Sequence, residues 1–305
     1  NLKVLVDYTI KHHFSHLGET SIENYIAFFK EVSERTLDMI IDWQHVGFVH
    51  GVMNTDNMSI LGLTIDFGPY GWLEGFDFGW TPNTTDIQHK RYRYGNQPNM
   101  GLWNLYQLAN ALYPIIEEVA PLNAILEQYK IDFEIKSLQM MKSKLGLFSS
   151  DENDVELVQN LEDTLQLVET DMTIFFRNLS NFSDENSGFD LIKNSFYDLE
   201  NISDDVKNKW NNWFKKYAER LQFDRISSEE RKEKMDAVNP KYVLRNYMSQ
   251  MAIDEADKGN YTLIDELFQL LKNPYAEQPE NEKWFAKRPE WARNKVGCSM
   301  LSCSS

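Results

Sequence analysis

The run His50-Gly51-Val52-Met53-Asn54-Thr55-Asp56-Asn57 sets a carboxylate beside a carboxamide, and nine residues later a second carboxylate opens the triplet Asp66-Phe67-Gly68. Mg²⁺ takes hard oxygen donors and keeps several waters. One Asn and one Asp, together with nucleotide phosphates, therefore make a sufficient site. A carboxylate next to such a site, here Asp56, is placed to accept the proton of an attacking hydroxyl. The ordered set points to metal-assisted transfer of a phosphoryl or nucleotidyl group, in which catalysis is positioning plus charge stabilisation. Taken singly, each of these residues reads as an Asx turn in a connecting loop; their order is what points to chemistry.

Elements around the set must hold it. Thr20 and Glu23 form a capping box that starts a helix over 20–46, with apolar residues at spacings of three and four and Gly47 as its stop. From Phe48 to Gly79 the texture is short strands and loops, and the apolar run 60–65 reads as a strand that delivers Asp66 beside Asn57. A second Asp-Phe-Gly, at 77–79, follows Gly75 without such support, so Asp66 is the expected ligand. Residues 80–100 read as a polar loop, and helical periodicity returns at Leu102. Further helices are predicted at about 122–145, 152–179, 187–199, 204–222, 227–236, 240–257 and 261–272, ahead of an irregular 276–305.

In protein kinases the catalytic pattern His-Arg-Asp-Leu-x-x-x-Asn also separates His and Asn by seven, and an Asp-Phe-Gly follows. The kinase base stands two residues after the His. Here that residue is Val52, which accepts no proton. Either the site is a dead kinase, or it runs a different reaction in which Asp56 serves a shifted phosphate.

With 305 residues, 31 Lys+Arg against 47 Asp+Glu and a net charge of −16, the chain is an ordinary globular composition with an acidic surface. That charge weighs against a nucleic-acid polymer or an anionic membrane as partner. No window reaches the roughly 18 apolar residues of a membrane span. Charge is uneven: an acidic run at 151–205 precedes a mildly basic one at 207–234, expected to face each other. Cys298 and Cys303 are too few for a secreted disulfide framework.

The stretch HGVMNTDNMSILGLTIDFGPYGWLE (50–74), with NQPNMGLWNL (96–105), MMKSKLGLF (140–148), NPKYVLRNYM (239–248) and the terminal Cys-Ser-Ser, resembles the selenoprotein O (YdiU-like) family of protein adenylyltransferases. The resemblance spans nearly the whole chain. It implies a pseudokinase fold that binds ATP in a flipped orientation and moves AMP onto Ser, Thr or Tyr hydroxyls of proteins. It also admits UMP transfer from UTP with Mn²⁺. Carried over position by position, Asp56 matches the proton acceptor, Asn57 and Asp66 match the ligands of Mg²⁺ or Mn²⁺, and Asp66 also reaches the nucleotide.

The family's glycine-rich loop, nucleotide-binding Lys and paired arginines lie upstream of residues matching position 1. The chain begins at Asn1 and has no Gly-x-Gly-x-x-Gly. The expectation is a C-terminal portion without its small lobe, a poor nucleotide binder by itself. The family's redox pairing joins the terminal residue to a Cys in the loop after Asp-Phe-Gly; 67–100 holds none, so a free thiol is expected.

The fold expected is mainly α with short β hairpins: a kinase-like large lobe over 1–120, a helical C-terminal region over 121–275 and a tail over 276–305. The enzyme is expected to be intracellular, cytoplasmic in a bacterium and mitochondrial in a eukaryote. Two other readings stay in play, an ordinary ATP-dependent phosphotransferase and a non-catalytic helical interaction module. Elsewhere, His12 and His16 stand four apart on a helical segment but lack the Glu and third ligand of a zinc hydrolase. Asp151-Glu152-Asn153-Asp154 lacks the Gly of a calcium loop and reads as helix capping.

Overall fold

In the computed structural model, which describes residues 1–183, 187–295, 297, 298 and 301, the chain opens with a helix that the sequence reading did not separate out, α1 (Leu2–His13). Val6 and Ile10, spaced by four, bury one face, and Phe14 continues that row beyond the helix end. Leu2, Val4, Leu5 and Tyr8 are apolar yet exposed, and they blur the stripe that would have marked it. Cys303 and the Ser-rich end lie outside the described residues.

The second helix, α2 (Ile22–Val46), is capped by Ser21, whose Oγ accepts from the Asn24 N–H at 3.2 Å, rather than by Thr20. Glu23 still supplies the first-turn negative charge that the helix dipole favours. Gly47 ends the helix at φ 73°, with its N–H returning to the Trp43 carbonyl, a left-handed cap at which a side chain would also press on Leu73. Two two-residue strands follow: β1 (Phe48–Val49) pairs antiparallel with β2 (Gly71–Trp72), Phe48 opposite Trp72 and Val49 opposite Gly71.

The strand expected over 60–65 is absent; these residues form a turn and extended coil. Gly62 there adopts φ 69° and rests on the Arg35 backbone, a close approach that a pleated strand could not make. The loop expected over 80–100 ends earlier than predicted. Helix α3 (Gln97–Ile116) takes Pro98 into its first turn, where its missing N–H costs nothing, and runs through Pro114.

Beyond it lie α4 (Val119–Lys144), α5 (Asp154–Leu165), α6 (Met172–Leu179), α7 (Gly188–Ile192), α8 (Asp204–Leu221), α9 (Ser228–Val238), α10 (Asn246–Ala256) and α11 (Thr262–Leu271). The single helix expected over 152–179 is thus two, parted where Asp171 caps α6, and the one expected from 240 begins at Asn246.

Packing sorts the helices into layers. α2 lies on α3 and α4, burying Phe29, Leu37, Leu105, Leu112 and Leu126 together with the face of α1. α5 packs on α8 around Trp210, Phe214 and Tyr217, and α10 on α11 around Met248 and Leu270. The acidic and basic runs do face each other: Lys216 pairs with Glu156 at 2.8 Å and Arg220 with Asp154 at 2.6 Å. A small cluster of Met39, Ile40, Trp43, Phe48, Met53 and Met100 forms the floor beneath the β1–β2 hairpin. Among the described residues no helix is long and apolar enough to cross a membrane.

Candidate active site

The hairpin holds everything the motif supplied. Both ends of residues 50–70 are pinned by the short ladder, so Asp56, Asn57 and Asp66 ride on one excursion above the Trp43–Phe48–Met53 floor. Gly51 starts the excursion at φ 79°, where an added Cβ would sit 2.2 Å from the Pro69 carbonyl oxygen. Only glycine satisfies both the conformation and the closeness.

Buried neutral amides fix the backbone of this loop. Gln97, fully buried, accepts from the His50 N–H at 3.0 Å and donates to the Phe48 carbonyl at 2.8 Å. Asn104 donates to Met53 O at 3.1 Å and Asn83 to Gly51 O at 3.0 Å. These three residues were not foreseen as site residues. Two of them, Gln97 and Asn104, lie within the 96–105 block that carried the family resemblance, which was the signal available.

Asn57 closes a 3₁₀ turn, Thr55–Asn57, and its Nδ2 donates to Val52 O at 2.9 Å. A carbonyl acceptor requires the NH₂ end of the amide, so Oδ1 is left over as an acceptor. Val52, in the kinase base position, thus serves through its backbone. Asp66 adopts φ 56°, left-handed for a residue that tolerates that region, and its carbonyl accepts from the Gly68 N–H at 2.8 Å.

His50 joins the two halves. Its Nε2 lies 2.8 Å from Ile65 O, and its Nδ1 faces the Val52 N–H at 3.4 Å. The carbonyl needs a donor, so the proton sits on Nε2. Burial pushes the imidazole pKa down, which keeps it neutral and suited to this donor–acceptor role. Thr64 is held by Trp43, whose Nε1 donates to Oγ1 at 2.9 Å. The run 60–65 therefore delivers Asp66 by side-chain tethers instead of by a strand.

Asp56 and Asp66 are exposed, and among the described residues neither carboxylate has a hydrogen bond or ion pair. Two free carboxylates and a spare carboxamide oxygen fit a hard divalent cation that completes its shell with phosphate and water. No group of three or more His, Cys, Asp or Glu capable of holding a metal occurs among the described residues, so any cation here leans on its substrate for ligands.

The other Asp-Phe-Gly behaves as a turn: Asp77 Oδ1 accepts from the Gly79 N–H at 2.7 Å. His12 packs at a tilt against Tyr8 near the close of α1, whereas His16 pairs with Glu31 at 2.6 Å; the two do not share a helix. Asp151 accepts from the Asn153 N–H, and Asp154 is committed to Arg220 and Lys142, as a structural role requires. Cys298 is a free thiol, buried at 4% exposure, and burial pushes its pKa up, against reactivity.

Behind the hairpin lies a second set of charges. Arg245 binds Asp171 through both of its terminal nitrogens, at 2.7 and 2.9 Å, and also reaches Glu74. Tyr197 Oη stands 3.2 Å from each carboxylate. Asp171 caps α6, Glu74 follows β2, and Arg245 precedes α10, so this buried cluster ties the hairpin to the C-terminal helices. Asn246 adds a bond to Tyr70 O at 3.3 Å.

The chain matches the family model for protein adenylyltransferase SelO over residues 1–272. It is 57% identical to a protein nucleotidyltransferase YdiU of Flavobacterium johnsoniae, over 100% of this chain and 59% of that relative. It is 49% identical to the YdiU of Aromatoleum aromaticum, over 99% of this chain and 57% of the relative. With that of Rhodopirellula baltica it shares 46% identity, over 100% and 60%. The chain spans about three-fifths of the length of the curated relatives it matches. On this agreement over nearly its whole length, the chain belongs to the SelO family of protein adenylyltransferases.

Proposed function

We propose that this chain carries the catalytic half of a protein nucleotidyl transfer, with AMP from ATP placed on Ser, Thr or Tyr hydroxyls, on a kinase-like large lobe. The observation that carries the reading is the state of the loop's oxygens. Asp56, Asp66 and Asn57 Oδ1 are uncommitted, while Val52 stands where a kinase keeps its base.

The substrate hydroxyl attacks the α-phosphorus, the bond to pyrophosphate breaks, and Asp56 accepts the hydroxyl proton. Asn57 and Asp66 would hold Mg²⁺ or Mn²⁺, which when bound spreads the phosphate charge. His50 keeps Asp66 in register with Asn57 through Ile65, and Asp66 also contacts the nucleotide. UMP from UTP follows the same geometry. ATP as co-substrate calls for an intracellular compartment.

The test uses this chain alone and the chain joined to the part of the Flavobacterium relative that it does not cover. Protein labelled from α-³²P-ATP, and unlabelled in Asp56→Asn and Asn57→Ala, is the expected result. Label from γ-³²P-ATP would make it a phosphotransferase. No label from either, with the folded state intact, would leave a helical interaction module.

A further inference from the structure

The segment that follows Asp66 crosses α4 and α5, and a cavity of about 480 Å³ opens at the crossing. Its walls are aromatic. Tyr94 and Tyr129 form a buried floor, and Phe78 and Phe133 stand half-buried above it. Phe78 and Tyr94 stack at 5.9 Å between centroids, 16° from parallel. The segment is clasped to its neighbours: Tyr94 and Gln44 exchange bonds of 2.6 and 3.0 Å, and the Phe78 N–H reaches Gln166 at 3.4 Å.

Two carboxylates line the same space. Glu162, half-buried on α5, and Glu134, exposed on α4, have no hydrogen bond or ion pair through their carboxylates among the described residues. Lys130, the one basic group lining the cavity among the described residues, is already paired with Glu127 at 2.7 Å. The Glu162 charge is felt by Tyr94, which places it against the aromatic floor. A desolvated carboxylate without a partner costs free energy unless a cation arrives, and ring faces carry negative charge that attracts one. The cavity's volume is in the range that holds a small ligand.

We propose that this cavity binds an organic cation, a protonated amine or guanidinium on a short apolar stem, with Glu162 as its counter-ion and the Phe78, Tyr94 and Phe133 rings around it. The occupied site would bridge α4 and α5 to the segment after Asp66. The cation is either a free small molecule or the Lys or Arg side chain of a polypeptide. Binding strengthens as pH rises through about 7, where the Glu162 carboxyl, pushed up by burial and by Asp163, gives up its proton. Glu134 on α4 and Lys130, held by Glu127, also face the cavity.

Calorimetric titration of this chain with agmatine, with the peptide Gly-Gly-Arg-Gly-Gly, and with the same peptide carrying norleucine in place of Arg tests the assignment. Saturable binding of a cationic probe is expected, stronger at pH 8 than at pH 6. It should be weakened roughly 10–100-fold in Glu162→Gln and roughly 2–30-fold in Phe78→Ala. Agmatine alone binding identifies a free small cation, and the Arg peptide binding at least as well identifies a polypeptide side chain. Unchanged far-ultraviolet dichroism checks that Glu162→Gln is folded. Equal binding of the norleucine peptide, equal binding by folded Glu162→Gln, or no saturable binding of either cation overturns the proposal.

Discussion

The hairpin of the candidate site and the Arg245 cluster lie back to back, and both are built from carboxylates, but they use them in opposite ways. In the hairpin, Asp56 and Asp66 are exposed and unpaired, and neutral amides from Gln97, Asn104 and Asn83 hold the backbone. In the cluster, Asp171 and Glu74 are buried and bound to one guanidinium and one phenol. Burial raises the Glu74 pKa, with Asp171 adding to the effect and Arg245 opposing it. The hairpin keeps its negative oxygens free and draws rigidity from uncharged bonds, as the proposed cation-binding role requires. A joint between helices commits its charges fully, because an unpaired buried charge costs several kcal/mol.

The comparison breaks most visibly if activity and stability fail to separate. In the labelling assay on the chain joined to the part of the Flavobacterium relative that it does not cover, Asp66→Asn should lower the rate by about 10²–10³-fold. Asn tolerates the left-handed backbone, so unfolding free energy measured in urea should change by less than about 0.5 kcal/mol. Arg245→Met is the opposite case. It leaves Asp171 and Glu74 buried without their cation and should cost about 3–5 kcal/mol of stability in the same urea titration.

Gln97→Leu sits between the two. It removes both bonds that hold β1 to α3, leaving the His50 N–H and the Phe48 carbonyl unsatisfied. A loss of about 2–3 kcal/mol is expected, accompanied by a fall in transfer rate as the loop loosens.

Glu162→Gln sharpens the contrast from a third direction, because Glu162 is half-buried yet unpaired. Its pKa is raised to about 7, so the folded state holds the proton more tightly than the unfolded chain. The stability this contributes is full below about pH 4.5, is lost as pH rises toward 7, and stays absent above. Glu162→Gln should therefore match the parent near pH 4 and exceed it at pH 8 by about 1–3 kcal/mol, measured by urea unfolding at both pH values.

Much of the candidate site was legible because its residues are close in sequence. His50, Asp56, Asn57 and Asp66 fall within 17 consecutive residues; their order and spacing pointed to the reaction class, and the whole stretch 50–74 with the later blocks carried the family resemblance. Helices with a clean stripe and a polar cap, α2 and α8 above all, were read to within a few residues. Those that were misread have a physical reason. α1 exposes four apolar side chains, the 152–179 helix is broken by a cap whose partner is Arg245, and Gly62 turns an apolar run that otherwise looks like a strand.

The sequence by itself determined which oxygens are present, in what order, and that most of the chain is helical, since periodicity and capping act over a few residues. Only the tertiary structure decided which carboxylates stay free and which are consumed. Glu74 and Arg245 stand 171 residues apart, and Gln97 meets His50 across 47, so their pairing depends on packing that no local pattern encodes. Burial and partnership are long-range properties, and they separate a carboxylate that can do chemistry from one that holds helices together.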